Sequence, residues 1–144
     1  LASHIKGADL KVFAKGKKIY ETEGYCITCH QESGTGLQKA GYPTLVGQEW
    51  VLGNEERLIK LALHGLYGPM NIMGNHYKGQ VPMMAFKGLL NDDEIAAVLT
   101  YVRNSFGNKA SVIDPDKVKE IREATKDRNK FYTADELLQE HPMN

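Results

Sequence analysis

Five consecutive residues, Cys26-Ile27-Thr28-Cys29-His30, constrain this chain more than any other stretch, and they hold both of its cysteines. Thiols three positions apart cannot staple distant parts of a fold, so their role is local. Cys-x-x-Cys-His is the pattern of covalent haem attachment, in which the thiols add across the two vinyl groups of a porphyrin. The spacing has a geometric reason. One helical turn presents both sulfurs to one edge of the macrocycle, and the next residue directs its imidazole at the iron.

Two other chemistries use close cysteine pairs. A structural zinc site wants four ligands, and only the scattered His4, His64, His76 and His141 could complete one here. A redox-active dithiol usually sits in a βαβ context, whereas this chain offers helical periodicity and glycine-rich loops. The reading is therefore one haem c bound through Cys26 and Cys29, with His30 on the iron. A ligating imidazole normally donates its second N–H to a carbonyl that fixes the ring, and Pro43, in Tyr42-Pro43-Thr44-Leu45, is the candidate source.

Helical signals recur around this motif. Residues 7–23 carry Leu10, Phe13 and Tyr20 near helical spacing among lysines. Residues 24–53 are rich in glycine and turn formers and read as a wrapping loop. Asn54 is placed to cap a helix running to Gly65, with Glu55 and Glu56 in its first turn, where the helix dipole favours acids. After a second glycine-, proline- and methionine-rich stretch, Asn91 with Glu94 forms a capping box for a third helix reaching about Phe106. Beyond Gly107, Asp114-Pro115 and the Thr133/Glu136 box open two more helical segments. No strand alternation persists. The expected class is all-α, with residues 1–107 as the domain and 108–144 as a helical extension packed on it, too poor in apolar residues to build its own core.

The 144 residues suit one domain, and 18 basic residues balance 18 acidic ones, so net charge calls for neither nucleic acid nor an anionic membrane as partner. No apolar run approaches the roughly 18 residues of a transmembrane helix. A start at Leu1 is compatible with removal of a signal peptide, a membrane anchor or an upstream domain.

A haem held by His30 alone leaves one iron position open. Methionine is the favoured second donor, because a thioether stabilises ferrous iron and raises the potential. Met83 and Met84, in Val81-Pro82-Met83-Met84-Ala85-Phe86, lie in a loop before the third helix; Met70 and Met73 lie nearer the motif, and His64 and His76 are further candidates.

Residues 8–107 resemble a class I c-type cytochrome. Gly16-Lys17-Lys18-Ile19-Tyr20 resembles the family's amino-terminal helix, which implies a close helix crossing at Gly16 and a Tyr20–Tyr101 contact. Pro43 and Leu45 resemble the proline and leucine of its haem-facing loop. Residues 99–108, with Arg57-Leu58-Ile59 and Leu63-His64-Gly65-Leu66, are similar to the domains that accompany periplasmic alcohol, aldehyde and sugar dehydrogenases. The resemblance implies a cytochrome c fold, with three core helices around the covalent haem. Its Met-Pro-x-Phe ligand loop, aligned on Phe86, favours Met83; the shorter Met-x-Phe form gives Met84.

Around such a haem, Leu37, Leu45, Leu58, Leu61, Ala62, Phe86 and Val98 are expected as apolar wall. Tyr25, Trp50, Tyr67 and Tyr77 are expected to offer donors to the propionates, and Arg57 to pair with one. With two strong axial ligands the expected role is a non-enzymatic, outer-sphere carrier of single electrons. It would run between a periplasmic quinoprotein or flavoprotein dehydrogenase, or another redox donor, and a respiratory acceptor, through transient docking. The alternative is a haem whose sixth site opens to bind or sense a small gas or peroxide. Thioether attachment of haem takes place outside the cytoplasm, so the expected location is periplasmic.

Overall fold

The computed structural model describes residues 3–143. Among these, the elements run α1 (Ala8–Glu21), α2 (Cys26–His30), a 3-10 turn at Gln38–Ala40, α3 (Glu49–Leu52), α4 (Glu55–His64), β1 (Met70–Ile72), β2 (Asn75–Tyr77), α5 (Asp92–Asn104), α6 (Pro115–Ala124) and α7 (Ala134–Glu140). The helical class expected from the sequence is the class observed.

Cap chemistry sets the helix starts. Asn54 accepts from Arg57 N at 2.8 Å to open α4. Asn91 and Glu94 close a reciprocal box on α5, and Thr133 and Glu136 do the same on α7. Asp114 accepts from Asp116 N, and Pro115 takes the first turn of α6, where its missing N–H costs nothing.

The scaffold's main contact is α1 against α5. A β-carbon on Gly16 would lie 2.8 Å from Tyr101 Cβ and overlap the Ala97 carbonyl, so only glycine permits this crossing. Tyr20 packs on Tyr101 with ring centroids 5.3 Å apart and donates to Gln31 O at 2.6 Å. This ties α1 to the end of α2.

One antiparallel hairpin departs from the expectation of no strands: Met70 pairs with Tyr77 and Ile72 with Asn75. Its turn, Met73-Gly74, has positive φ at both residues, 50° and 81°, the geometry that matches the strands' right-handed twist. Methionine tolerates that conformation poorly, which is why the local sequence lacks an obvious hairpin signature.

The C-terminal stretch is woven into the same packing. Ile113, Val118 and Ile121 join the cluster of α4 and α5, while Tyr132, Ala134 and Leu137 join Trp50, Leu61, Leu66, Ile72 and Tyr77. Each such aliphatic side chain stabilises the fold by roughly 1.5–3 kcal/mol. The extension also covers the polar side of α4. Arg57 donates to His141 O, Lys60 to Glu140, and His64 contacts Thr125. Arg103, 2% exposed, ties α5 to the α3–α4 turn and to the extension through Val51 O, Gly53 O, Ser111 O and Ser111 Oγ.

Candidate haem site

Helix α2 is a single turn bounded by two positive-φ residues, Tyr25 (53°) and Gln31 (69°). The chain enters and leaves it sharply, so Cys26, Cys29 and His30 all line one predominantly apolar cavity of about 260 Å³. Cys26 and Cys29 are not joined in a disulfide, and burial raises the pKa of the Cys26 thiol to about 12 before any attachment. His30 Nδ1 donates to Pro43 O at 2.8 Å. That bond places the ring proton on Nδ1 and leaves the lone pair on Nε2, the state a metal ligand requires. Burial lowers the His30 pKa and outweighs the opposing effect of the Pro43 bond, which favours the neutral ring.

The cavity wall comes from α3 (Trp50), α4 (Leu58, Leu61, Ala62), α5 (Ile95, Val98, Leu99, Val102), the first loop (Pro43, Leu45, Gln48) and the second (Met83, Met84, Phe86). The hairpin, which sequence reasoning missed, adds Met70, Ile72 and Tyr77. Their alternation about a two-residue turn was the available signal. Gln48 was missed as well; its Oε1 caps α3 by accepting from Trp50 N and Val51 N at 2.6 and 3.2 Å.

Several expected neighbours lie elsewhere. Arg57 does not line the cavity. Its guanidinium donates to Glu49 O and His141 O and lies 5.2 Å from the centre of the Trp50 ring, because the extension occupies that side of α4. Trp50 lines the cavity, but its Nε1–H is spent on Asn71 O at 3.1 Å. Leu37 is 51% exposed at a turn where it bridges Tyr42, and Tyr67 lies outside the cavity with its ring 6.3 Å from Phe131. His64 faces the extension, and His76 is exposed beside Asn71. Met73 sits on the hairpin turn, exposed.

Met83 and Met84 both reach the cavity but differ in setting. Met83 is half-buried, packs against both core clusters and exchanges two backbone hydrogen bonds with Leu66, at 2.9 and 3.1 Å. Met84 is 43% exposed.

The residues fit a covalent haem: two thiols and an oriented imidazole from one helical turn open on an apolar cavity that also holds thioethers. A helical scaffold built around such a site defines a c-type haem protein. Residues 13–106 match the family model for cytochrome c. The chain is 34% identical over 128 residues to a cytochrome c-552 of Thermus thermophilus, a match covering 86% of this chain and 88% of that protein, and so running past Gly107 into the extension. It is 32% identical over 114 residues to the cytochrome subunit of a fructose dehydrogenase from Gluconobacter japonicus, covering 74% of this chain and 22% of that subunit. It is 31% identical over 87 residues to the cytochrome c subunit of a quinone alcohol dehydrogenase from Gluconobacter oxydans, covering 59% and 17%. This chain belongs to the cytochrome c family; it carries covalently bound haem c and its activity is electron transfer. No helix among the described residues is long and apolar enough to cross a membrane.

Proposed function

We propose that the chain is a mono-haem electron carrier without enzymatic activity of its own, in which Cys26 and Cys29 hold the haem by thioether bonds and His30 and Met83 ligate its iron. The observation that carries this reading is the His30 Nδ1–Pro43 O bond, which aims a lone-pair nitrogen into a cavity shared with both thiols and Met83. When bound, the haem supplies a one-electron ferric/ferrous couple.

The chain's own residues do the rest. The Pro43 carbonyl fixes the imidazole and raises its basicity. Leu45, Leu58, Ala62, Phe86 and Val98 exclude water, and an apolar surround favours the less charged ferrous state. Burial and the Leu66 bonds support Met83 over the more exposed Met84 as second ligand. With His30 and Met83 both bound to the iron, no position would remain for a substrate, so the carrier reading stands or falls with that ligand pair.

Partners are redox proteins that dock briefly at the loops framing the cavity. Pro43, Val81, Pro82 and Met84 give the cavity lining an apolar character, and the chain's 18 basic residues balance 18 acidic ones, which supports a weak, short-lived, partly apolar contact over strong electrostatic steering. The kinship with dehydrogenase cytochrome subunits supports a periplasmic dehydrogenase as donor and a respiratory protein as acceptor.

Optical spectra of the purified ferric and ferrous holoprotein test the reading. The far-red band of methionine-bound ferric haem is expected, lost in Met83→Ala and kept in Met84→Ala. Absence of that band together with ready carbon monoxide binding by the ferrous protein would overturn the closed-site carrier in favour of a ligand-binding haem.

A further inference from the structure

We propose that the Phe131–Tyr132 segment of the C-terminal extension positions Met83 for the iron, with Tyr132 as the positioning residue; this rests on Met83 being the second axial ligand. Between Gln80 and Ala85 the two bonds to Leu66 are the only backbone hydrogen bonds within the described structure. Between the flanking bonds, donated by Gly68 N to Gly79 O and by Phe86 N to Ala62 O, the backbone of the methionine loop is thus tethered at one point. Leu66 is itself the middle of a three-stranded arrangement, bridged antiparallel to Met83 on one side and parallel to Tyr132 on the other. Tyr67 N donates to Tyr132 O at 3.0 Å, and Tyr132 N donates to Gly65 O at 3.2 Å.

Gly65 shows how tightly the three segments are pressed together. With φ at +76°, its missing β-carbon would strike the Met83 carbonyl on one side and lie 2.7 Å from the Phe131 ring on the other. The outer strand is firmly fixed. The Tyr132 ring is buried, with the Arg128 guanidinium 3.6 Å from its centre and the His64 ring edge-on at 5.5 Å. Arg128 is held in turn by Glu136 and by Phe131 O. Without this strand, residues 65–67 would present an unpaired edge and the single tether of the methionine loop would rest on a mobile partner. The extension thereby sets how often the Met83 sulfur leaves the iron.

The test uses the full-length ferric holoprotein and exogenous imidazole as the displacing ligand. Tyr132→Ala keeps the backbone bonds but loses the buried ring and its contacts with Arg128 and His64, and is expected to take up imidazole about tenfold faster than wild type, as for a lost aromatic and cation–π anchor, with a weakened far-red band and helical circular dichroism retained. Tyr132→Phe, which keeps the ring, is expected to behave as wild type. An unchanged rate and band in Tyr132→Ala, or a Tyr132→Phe protein that behaves like Tyr132→Ala, overturns the proposal. Should Met83→Ala keep the band, the ligand assignment itself has failed, and that result is distinct. Hydrogen exchange on the wild-type holoprotein decides the matter without any variant. The amides of Met83, Tyr67 and Tyr132 are expected to open together, and opening of Met83 while Tyr132 stays protected overturns the coupling.

Discussion

Gly16 of α1 and Ala97 of α5 meet backbone to backbone, with no room for a β-carbon between them. The rigid carbonyl of Ala97 cannot yield as a flexible side chain would, so the helices must separate if Gly16 gains even a methyl group. Gly16→Ala is therefore expected to lower holoprotein stability by about 3 kcal/mol, the upper range for overpacking a tight contact. Guanidinium denaturation of the ferric protein measures it, and a loss well below that would show the crossing to be pliable.

Arg103 makes a network rather than an ion pair. It donates to two carbonyls of the α3–α4 turn and to both oxygen acceptors of Ser111, while Glu55 stands 4.0 Å away. Arg103→Met leaves the buried Val51 carbonyl without its donor and strips the remaining ties, at an expected cost of about 3 kcal/mol. Arg103→Lys should recover less than half, since an ammonium cannot reproduce the planar fork. Urea denaturation of the three proteins makes the comparison.

Arg57 separates a structural tie from a haem contact. With its donors on Glu49 O and His141 O, Arg57→Gln is expected to cost about 2 kcal/mol of stability and to leave the midpoint potential unchanged. Voltammetry beside thermal unfolding measures both. A clear shift of potential would return Arg57 to the neighbourhood of the haem.

His64 makes stability depend on pH. The Thr125 hydroxyl spends its proton on Ile121 O, so His64 Nε2 is the donor between them, and Nδ1 is a buried lone pair without a partner. Burial, with Lys87, Arg128 and Arg122 nearby, lowers its pKa from 6.5 to about 4. The neutral ring is thus favoured in the folded state, while the unfolded chain binds a proton near 6.5. The contribution is complete above that pH and is lost as pH falls towards about 4, on the order of 2–3 kcal/mol in all. Denaturant midpoints across this interval should fall in wild type and lie flatter in His64→Gln.

What could be read in advance follows the range of the physics involved. The starts of α4, α5, α6 and α7 were legible, because Asn54, Asn91 with Glu94, Asp114-Pro115 and Thr133 with Glu136 act on amides two or three residues away. The local logic of Cys26, Cys29 and His30 was legible for the same reason. The surroundings of Arg57 and His64 were not legible, because they depend on where residues 125 and 141 return, which no local pattern encodes. Leu37 looked like wall and lies at a turn. The hairpin escaped because a methionine occupies a position where glycine or asparagine normally announces the turn.

Helix α4 has cavity on one side and extension on the other, and none of its ten residues is fully exposed; in α1 only Gly16, Ile19 and Tyr20 are buried. A map of substitution tolerance should show the difference. In α1, permissive positions will recur with the helical period, as on any half-solvated helix. In α4 that rhythm will vanish, and even Lys60, whose sequence suggests a free surface lysine, will behave as an interior residue. The extension turns what would otherwise be an amphipathic outer helix into the axle of the molecule.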